Sequence, residues 1–143
     1  MKKKEKKDNR PRGVRNCNPG NIRKNGDHFI GEVASTDPDF KQFQSMAYGY
    51  RAMFRILRNY KNNYSLNTLA QMIARWAPPK ENATEVYIQF VCDRTGLARD
   101  QVVDVDNTNI MCRIVEAMAT MECKGKTGWE PDMNEIRDGW ILL

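Results

Sequence analysis

From Ser45 onward apolar side chains recur at Tyr50, Met53, Phe54, Leu57 and Tyr60, the three- and four-residue spacing of one helix face, which predicts the strongest helix of the chain. A second amphipathic stretch from about Leu66 to Trp76 turns Leu69, Met72, Ile73 and Trp76 inward and stops at Pro78-Pro79, because proline disfavours helix in the residue before it. Asn82-Ala83-Thr84-Glu85 reads as a capping box, with Glu85 the partner of Asn82, ahead of a helix that buries Val86, Tyr87, Phe90 and Val91 and ends at Gly96. After a short turn near Arg99 to Val103, a fourth helix is expected from about Thr108 to Glu122, burying Ile110, Met111, Ile114, Val115 and Met118. It is broken by Gly125 and Gly128. A last segment from near Pro131 places Met133, Ile136 and Trp140 on one side.

The first forty residues follow a different period. Pro19-Gly20 within Cys17-Asn18-Pro19-Gly20-Asn21 has the signature of a type II turn. Asn25-Gly26, between Ile22 to Lys24 and Phe29 to Val33, predicts a small β-hairpin, to which Phe40 to Phe43 adds a third strand after the loop Asp37-Pro38-Asp39.

With 143 residues, 41% hydrophobic and 29% charged, the chain suits one globular core, and no run approaches the length that spans a bilayer. The net charge of +5 is concentrated: residues 1 to 16 hold five Lys and three Arg against Glu5 and Asp8, a net +6 that leaves the body at −1. The expected organisation is a basic disordered tail over residues 1–12 and a single domain over 13–143. The tail carries no apolar segment after its lysines, so no signal peptide is expected. It is suited to anionic polymers or nucleic acid through phosphate neutralisation, but has no interleaved aromatic residue for base stacking. Cys17, Cys92, Cys112 and Cys123, with His28 alone to help, match no zinc spacing; free thiols, no metal and no cofactor are expected.

Asp104 to Asn109 begins like a calcium loop, but Asn109 stands where Gly is required and Val115 where a bidentate Glu is required, which leaves a helix N-cap cluster. Cys17 and His28 lack an orienting third group and read as a turn cysteine and a surface histidine. Among the carboxylates, Glu81 follows the rigid run Trp76-Ala77-Pro78-Pro79, where an aromatic wall would raise its pKa; the competing reading is an acid that favours a helix start. Glu32 lies on the hairpin, facing either a groove or water.

The runs Arg12 to Arg23, Phe29-Ile30-Gly31, Phe40 to Phe43, Tyr48 to Ala52 and Arg75 to Tyr87 resemble a family of phage and prophage proteins described as virion structural proteins or lytic enzymes with a lysozyme-like fold. The same segments are distantly similar to cell-wall glucosaminidases. The resemblance implies a mainly α (α+β), lysozyme-like domain that binds peptidoglycan in a groove between hairpin and helices. Asn18, Asn21, Trp76, Asn82 and Tyr87 would position the substrate. Glucosaminidases and lytic transglycosylases carry their acid on a helix before the Asn/Gly motif, a stretch that is the basic tail in this chain. Glu81 is therefore the expected general acid, with Glu32 or Asp37 an optional second carboxylate. The expected function is cleavage of the peptidoglycan glycan strand by a monomer of phage or prophage origin, held in the cytoplasm or a virion and acting at the wall. The alternatives are a catalytically silent virion or wall-binding protein, and a nucleic-acid binder working through the tail.

Overall fold

The computed structural model describes residues 8–80, 82–124 and 128–143. Its first element is one the periodicity does not reveal: a single helical turn, α1 (Arg12–Arg15), which begins after Pro11 and buries Gly13. The expected disordered tail falls largely on residues 1–7, outside the described residues; Asp8 and Arg10 pair with each other.

The turn at Asn18 to Asn21 closes by a 3.0 Å hydrogen bond from Asn21 N–H to Asn18 C=O. It is not the type II turn expected. Gly20 does not take a positive φ; Cys17 and Asn21 do, at 51° and 47°. Glycine is needed at position 20 for a different reason: a Cβ there would lie 2.7 Å from Trp76 Cζ2 and 2.9 Å from Met53 Cγ.

The small sheet is present with a different pairing. Strand β1 (Glu32–Val33) runs antiparallel to β2 (Gln42–Phe43), with Glu32 opposite Phe43, while Arg23 bridges Phe40 rather than any residue of 29 to 33. Asn18 supplies the physical reason. Its fully buried side chain accepts from Ile22 N–H at 2.9 Å and donates to the carbonyls of Ile22 and Lys41, so the 22–24 segment is pinned to 40–41. The Asn25 side chain caps Asp27 N–H, which makes a turn without returning the chain as a hairpin.

The helical part follows the apolar pattern closely. Ser45 accepts from Tyr48 N–H and starts α2 (Met46–Tyr64), which buries Tyr50, Met53, Phe54 and Leu57. Thr68 and Gln71 form a reciprocal capping box at α3 (Leu69–Trp76), three residues later than the periodicity suggests. The box expected at Asn82 and Glu85 does not form. The N-cap of α4 (Thr84–Thr95) is Ala83 without a side-chain cap, and Glu85 instead grips Arg99 at 2.8 and 3.1 Å. Val86 is exposed rather than inward, because α4 buries Tyr87, Ile88 and Val91. Gly96 closes α4 with φ 74°. Asn107 caps α5 (Thr108–Glu122), and Asp132 caps α6 (Met133–Ile141). Gly125 lies outside the described residues.

Helix α2 is the spine: α6 packs against it most extensively, with α5, α3 and β2 on its other sides, while α4 is held between α3 and α5. Trp140 of α6 packs edge-to-face with Phe54, ring centroids 5.2 Å apart, and the Arg58 guanidinium lies 4.9 Å from the Trp140 ring centroid. One core results, mainly helical with a two-stranded sheet to one side. No helix among the described residues is long and apolar enough to cross a membrane.

Candidate functional site

Met111, Val115 and Met118 lie on the buried stripe of α5, and the next position on that stripe is Glu122, the last residue of the helix. A carboxylate is thereby carried on a face that otherwise packs into the core. It is half-buried and opens into a groove of about 870 Å³ whose walls come from the Gly20 to Phe29 segment, the C-terminal half of α2 and the end of α3. That volume lies in the range of small-molecule clefts.

Three donors from three parts of the chain converge on this carboxylate. The Tyr87 hydroxyl donates to Glu122 Oε2 at 2.8 Å, Trp76 Nε1–H to the same oxygen at 3.3 Å, and Asn21 Nδ2–H to Oε1 at 3.3 Å. Asn21 Nδ2 also donates to the Glu122 carbonyl at 3.1 Å, tying the end of α5 to the Asn18–Asn21 turn. The left-handed backbone of Asn21, a conformation Asn tolerates better than most residues, places it there. Gly20 lets the Trp76 indole lie close against the turn.

The electrostatic outcome is a contest. Removal from water favours the neutral acid, whereas the donors and the more distant Arg12 favour the carboxylate. Burial wins, and the Glu122 pKa is raised above its ordinary value of 4.5. Oε2 holds the two donors from Tyr87 and Trp76, so Oε1, which among the described residues receives only the shared Asn21 donor, is the oxygen with room to carry a proton. Desolvation pushes the Tyr87 phenol well up and the Tyr60 phenol up to about 12, so both remain protonated donors at neutral pH.

The residues expected from sequence separate into distinct groups. Asn21, Trp76 and Tyr87 meet at Glu122. Asn82 lines the groove and donates to the Pro78 carbonyl at 3.4 Å. Asn18 is buried away from the groove and orders the backbone. Glu32 is bound to Lys41 Nζ at 2.9 and 3.0 Å, with Lys41 only 1% exposed, and does not line the groove. Asp37 accepts from Asp39 N–H at 2.9 Å and Phe40 N–H at 3.1 Å. These bonds hold the loop and keep its carboxyl below the usual range. Glu81 lies outside the described residues. Neither acidic residue on the groove wall among those described, Glu122 and Asp27, is among the site residues expected from sequence. The signal for Glu122 was its register with Met111, Val115 and Met118; Asp27 leaves no such trace.

No group of described His, Cys, Asp and Glu side chains is arranged to hold a metal ion. The four cysteines are free thiols, and burial pushes Cys123, beside Glu122, up to about 12.

No family model matches the chain. Protein P5 of Pseudoalteromonas phage PM2 is 42% identical to it over 133 residues, a match that takes in 90% of this chain and 79% of that protein. At that identity and coverage, the chain belongs to the family of phage proteins that includes Protein P5 of phage PM2.

Proposed function

We propose that this chain cleaves the glycan strand of peptidoglycan, with Glu122 as general acid. The observation that carries the reading is a carboxylate whose pKa is raised by burial, in the lining of a groove that Trp76, Tyr60 and Tyr64 also wall. Glycoside cleavage needs an acid that is still protonated beside the leaving oxygen, and aromatic faces suit the C–H surfaces of sugar rings. The lysozyme-like assignment of the helical domain, its action at the wall and its carriage by a virion belong to the same proposal.

In this mechanism Glu122 Oε1 delivers its proton to the glycosidic oxygen as the bond from that oxygen to the anomeric carbon breaks. The leaving sugar departs as an alcohol while positive charge develops on the ring. The Glu122 carboxylate so formed is held by Tyr87 and Trp76, which stops it rotating away. It then takes a proton from the hydroxyl that attacks the anomeric carbon. If that hydroxyl comes from water, the product has a new reducing end; if from the sugar's own primary alcohol, the product is an internal anhydro ring. Asn21 and Asn82 line the groove as hydrogen-bonding groups for the amide substituents of the glycan.

The test is digestion of purified peptidoglycan by the wild type and Glu122→Gln, with mass spectrometry of the released fragments. The wild type should release glycan fragments and Glu122→Gln should not. Binding to insoluble wall with no fragment release by either protein would leave a silent wall-binding protein. Equal release by both would remove Glu122 from the acid role.

A further inference from the structure

The groove that holds Glu122 is flanked by arginines on both sides, and each has an aromatic ring beneath it. On the sheet side the Arg12 guanidinium lies 3.8 Å from the Phe40 ring centroid, and Arg23 lies 4.9 Å from the same ring. On the helix side Arg75 lies 3.9 Å from the Tyr64 centroid and 5.5 Å from that of Tyr60. All three arginines, with Phe40, Tyr60 and Tyr64, line the groove. Among the described residues neither Arg12 nor Arg75 makes an ion pair with an acidic side chain, although Arg58, Arg94 and Arg99 do.

A guanidinium resting on a ring uses its flat face and keeps its in-plane N–H groups for another partner, and that fork matches a carboxylate in a two-point contact. The ring restricts the side chain beforehand, so less freedom is lost when the contact forms. We infer that Arg12 and Arg75 are specificity residues that select a glycan carrying carboxylates over a neutral one of the same length. This rests on the reading of the groove as a glycan site, and it narrows the substrate to an acidic polysaccharide. The carboxylate has two sources in a wall polymer, the acid attached directly to the sugar and the acids of the attached peptide. Arg12 also lies close enough to Glu122 to favour its ionised form, so a bound carboxylate that neutralises Arg12 would help keep Glu122 protonated.

The test measures binding to Glu122→Gln, which separates recognition from cleavage. Three ligands of equal sugar number are compared: a neutral chito-oligosaccharide, glycan strands stripped of peptide, and strands with peptide attached. Binding to the stripped strands should be at least about ten-fold tighter than to the neutral oligosaccharide. It should weaken as salt is raised, as charge pairing on an exposed surface does. Adding Arg75→Gln or Arg12→Gln should shrink that ratio, and Arg75→Lys should restore part of it. A preference appearing only with peptide-bearing strands would assign the carboxylate to the peptide. Equal affinity for all three ligands, or a ratio untouched by both arginine changes in variants that melt like the parent, would overturn the inference. Fragment release by the wild type is read separately: its absence defeats the cleavage reading, while a measured carboxylate preference would survive it.

Discussion

The Tyr87 hydroxyl of α4 donates a 2.8 Å hydrogen bond to Glu122 Oε2 of α5, so a contact that helps pack two helices also holds the candidate acid. The bond favours the ionised carboxylate, in opposition to burial. Activity that requires protonated Glu122 falls as pH rises through its pKa, which makes Glu122 the alkaline limb of the pH profile. Tyr87→Phe removes a donor to the ionised form, so that limb should move to higher pH. The fold should also lose about 1 to 2 kcal/mol, the scale of a buried hydrogen bond. Fragment release across a pH series and thermal denaturation measure the two effects; a limb that stays in place would mean another group sets it.

The raised pKa of Glu122 also has a sign for stability. The folded chain holds this proton more tightly than the unfolded chain, so the contribution is complete below the ordinary value of 4.5 and is lost as pH rises through the folded pKa. Glu122→Gln removes the titration. Its melting temperature relative to wild type should therefore climb as pH rises above about 4.5. A difference that is flat with pH would place Glu122 in contact with bulk water.

Gly20→Ala tests the seating of Trp76. The added methyl would meet Trp76 Cζ2 at 2.7 Å and Met53 Cγ at 2.9 Å, both of them held by their surroundings. The expected cost is about 1 to 3 kcal/mol, as for other overpacked sites. Tryptophan fluorescence should change with it, because the indole N–H leaves Glu122. An unaltered melting curve would show that the turn and the indole can separate freely.

Glu32→Gln separates a structural carboxylate from a catalytic one. Lys41 is almost fully enclosed, and its charge is met by Glu32 together with the Asp27 carbonyl. Removing the opposite charge should destabilise the fold by about 3 kcal/mol. Fragment release per folded molecule should match wild type, and a specific loss of turnover would return Glu32 to the reaction.

What could be read in the sequence follows the strength of the local signal. The apolar spacing of Tyr50, Met53, Phe54 and Leu57 marks α2, and that of Met111, Ile114 and Met118 marks α5, because burying one face leaves a period in the chain. The strand pairing was not legible: Asn25-Gly26 looked like a hairpin, while the pairing is settled by the Asn18 side chain reaching Ile22 and Lys41, a contact between distant positions. Glu85 has the spacing of a cap because Asn82 precedes it by three residues, yet Arg99, fourteen residues on, takes it instead. At the site, Asn21, Trp76 and Tyr87 are legible in the sequence, but the carboxylate that unites them is not. Glu122 lies 101 residues from Asn21 and 35 from Tyr87, and the four meet only because the end of α5 packs beside α4, the end of α3 and the Asn18–Asn21 turn.

The most direct measurement is fragment release from purified peptidoglycan by wild type and Glu122→Gln at matched folded concentration. Release by the wild type, with loss of at least about a hundred-fold in the variant, is the expected result for removal of a general acid. Equal release by the two proteins would contradict the assignment of the acid to Glu122.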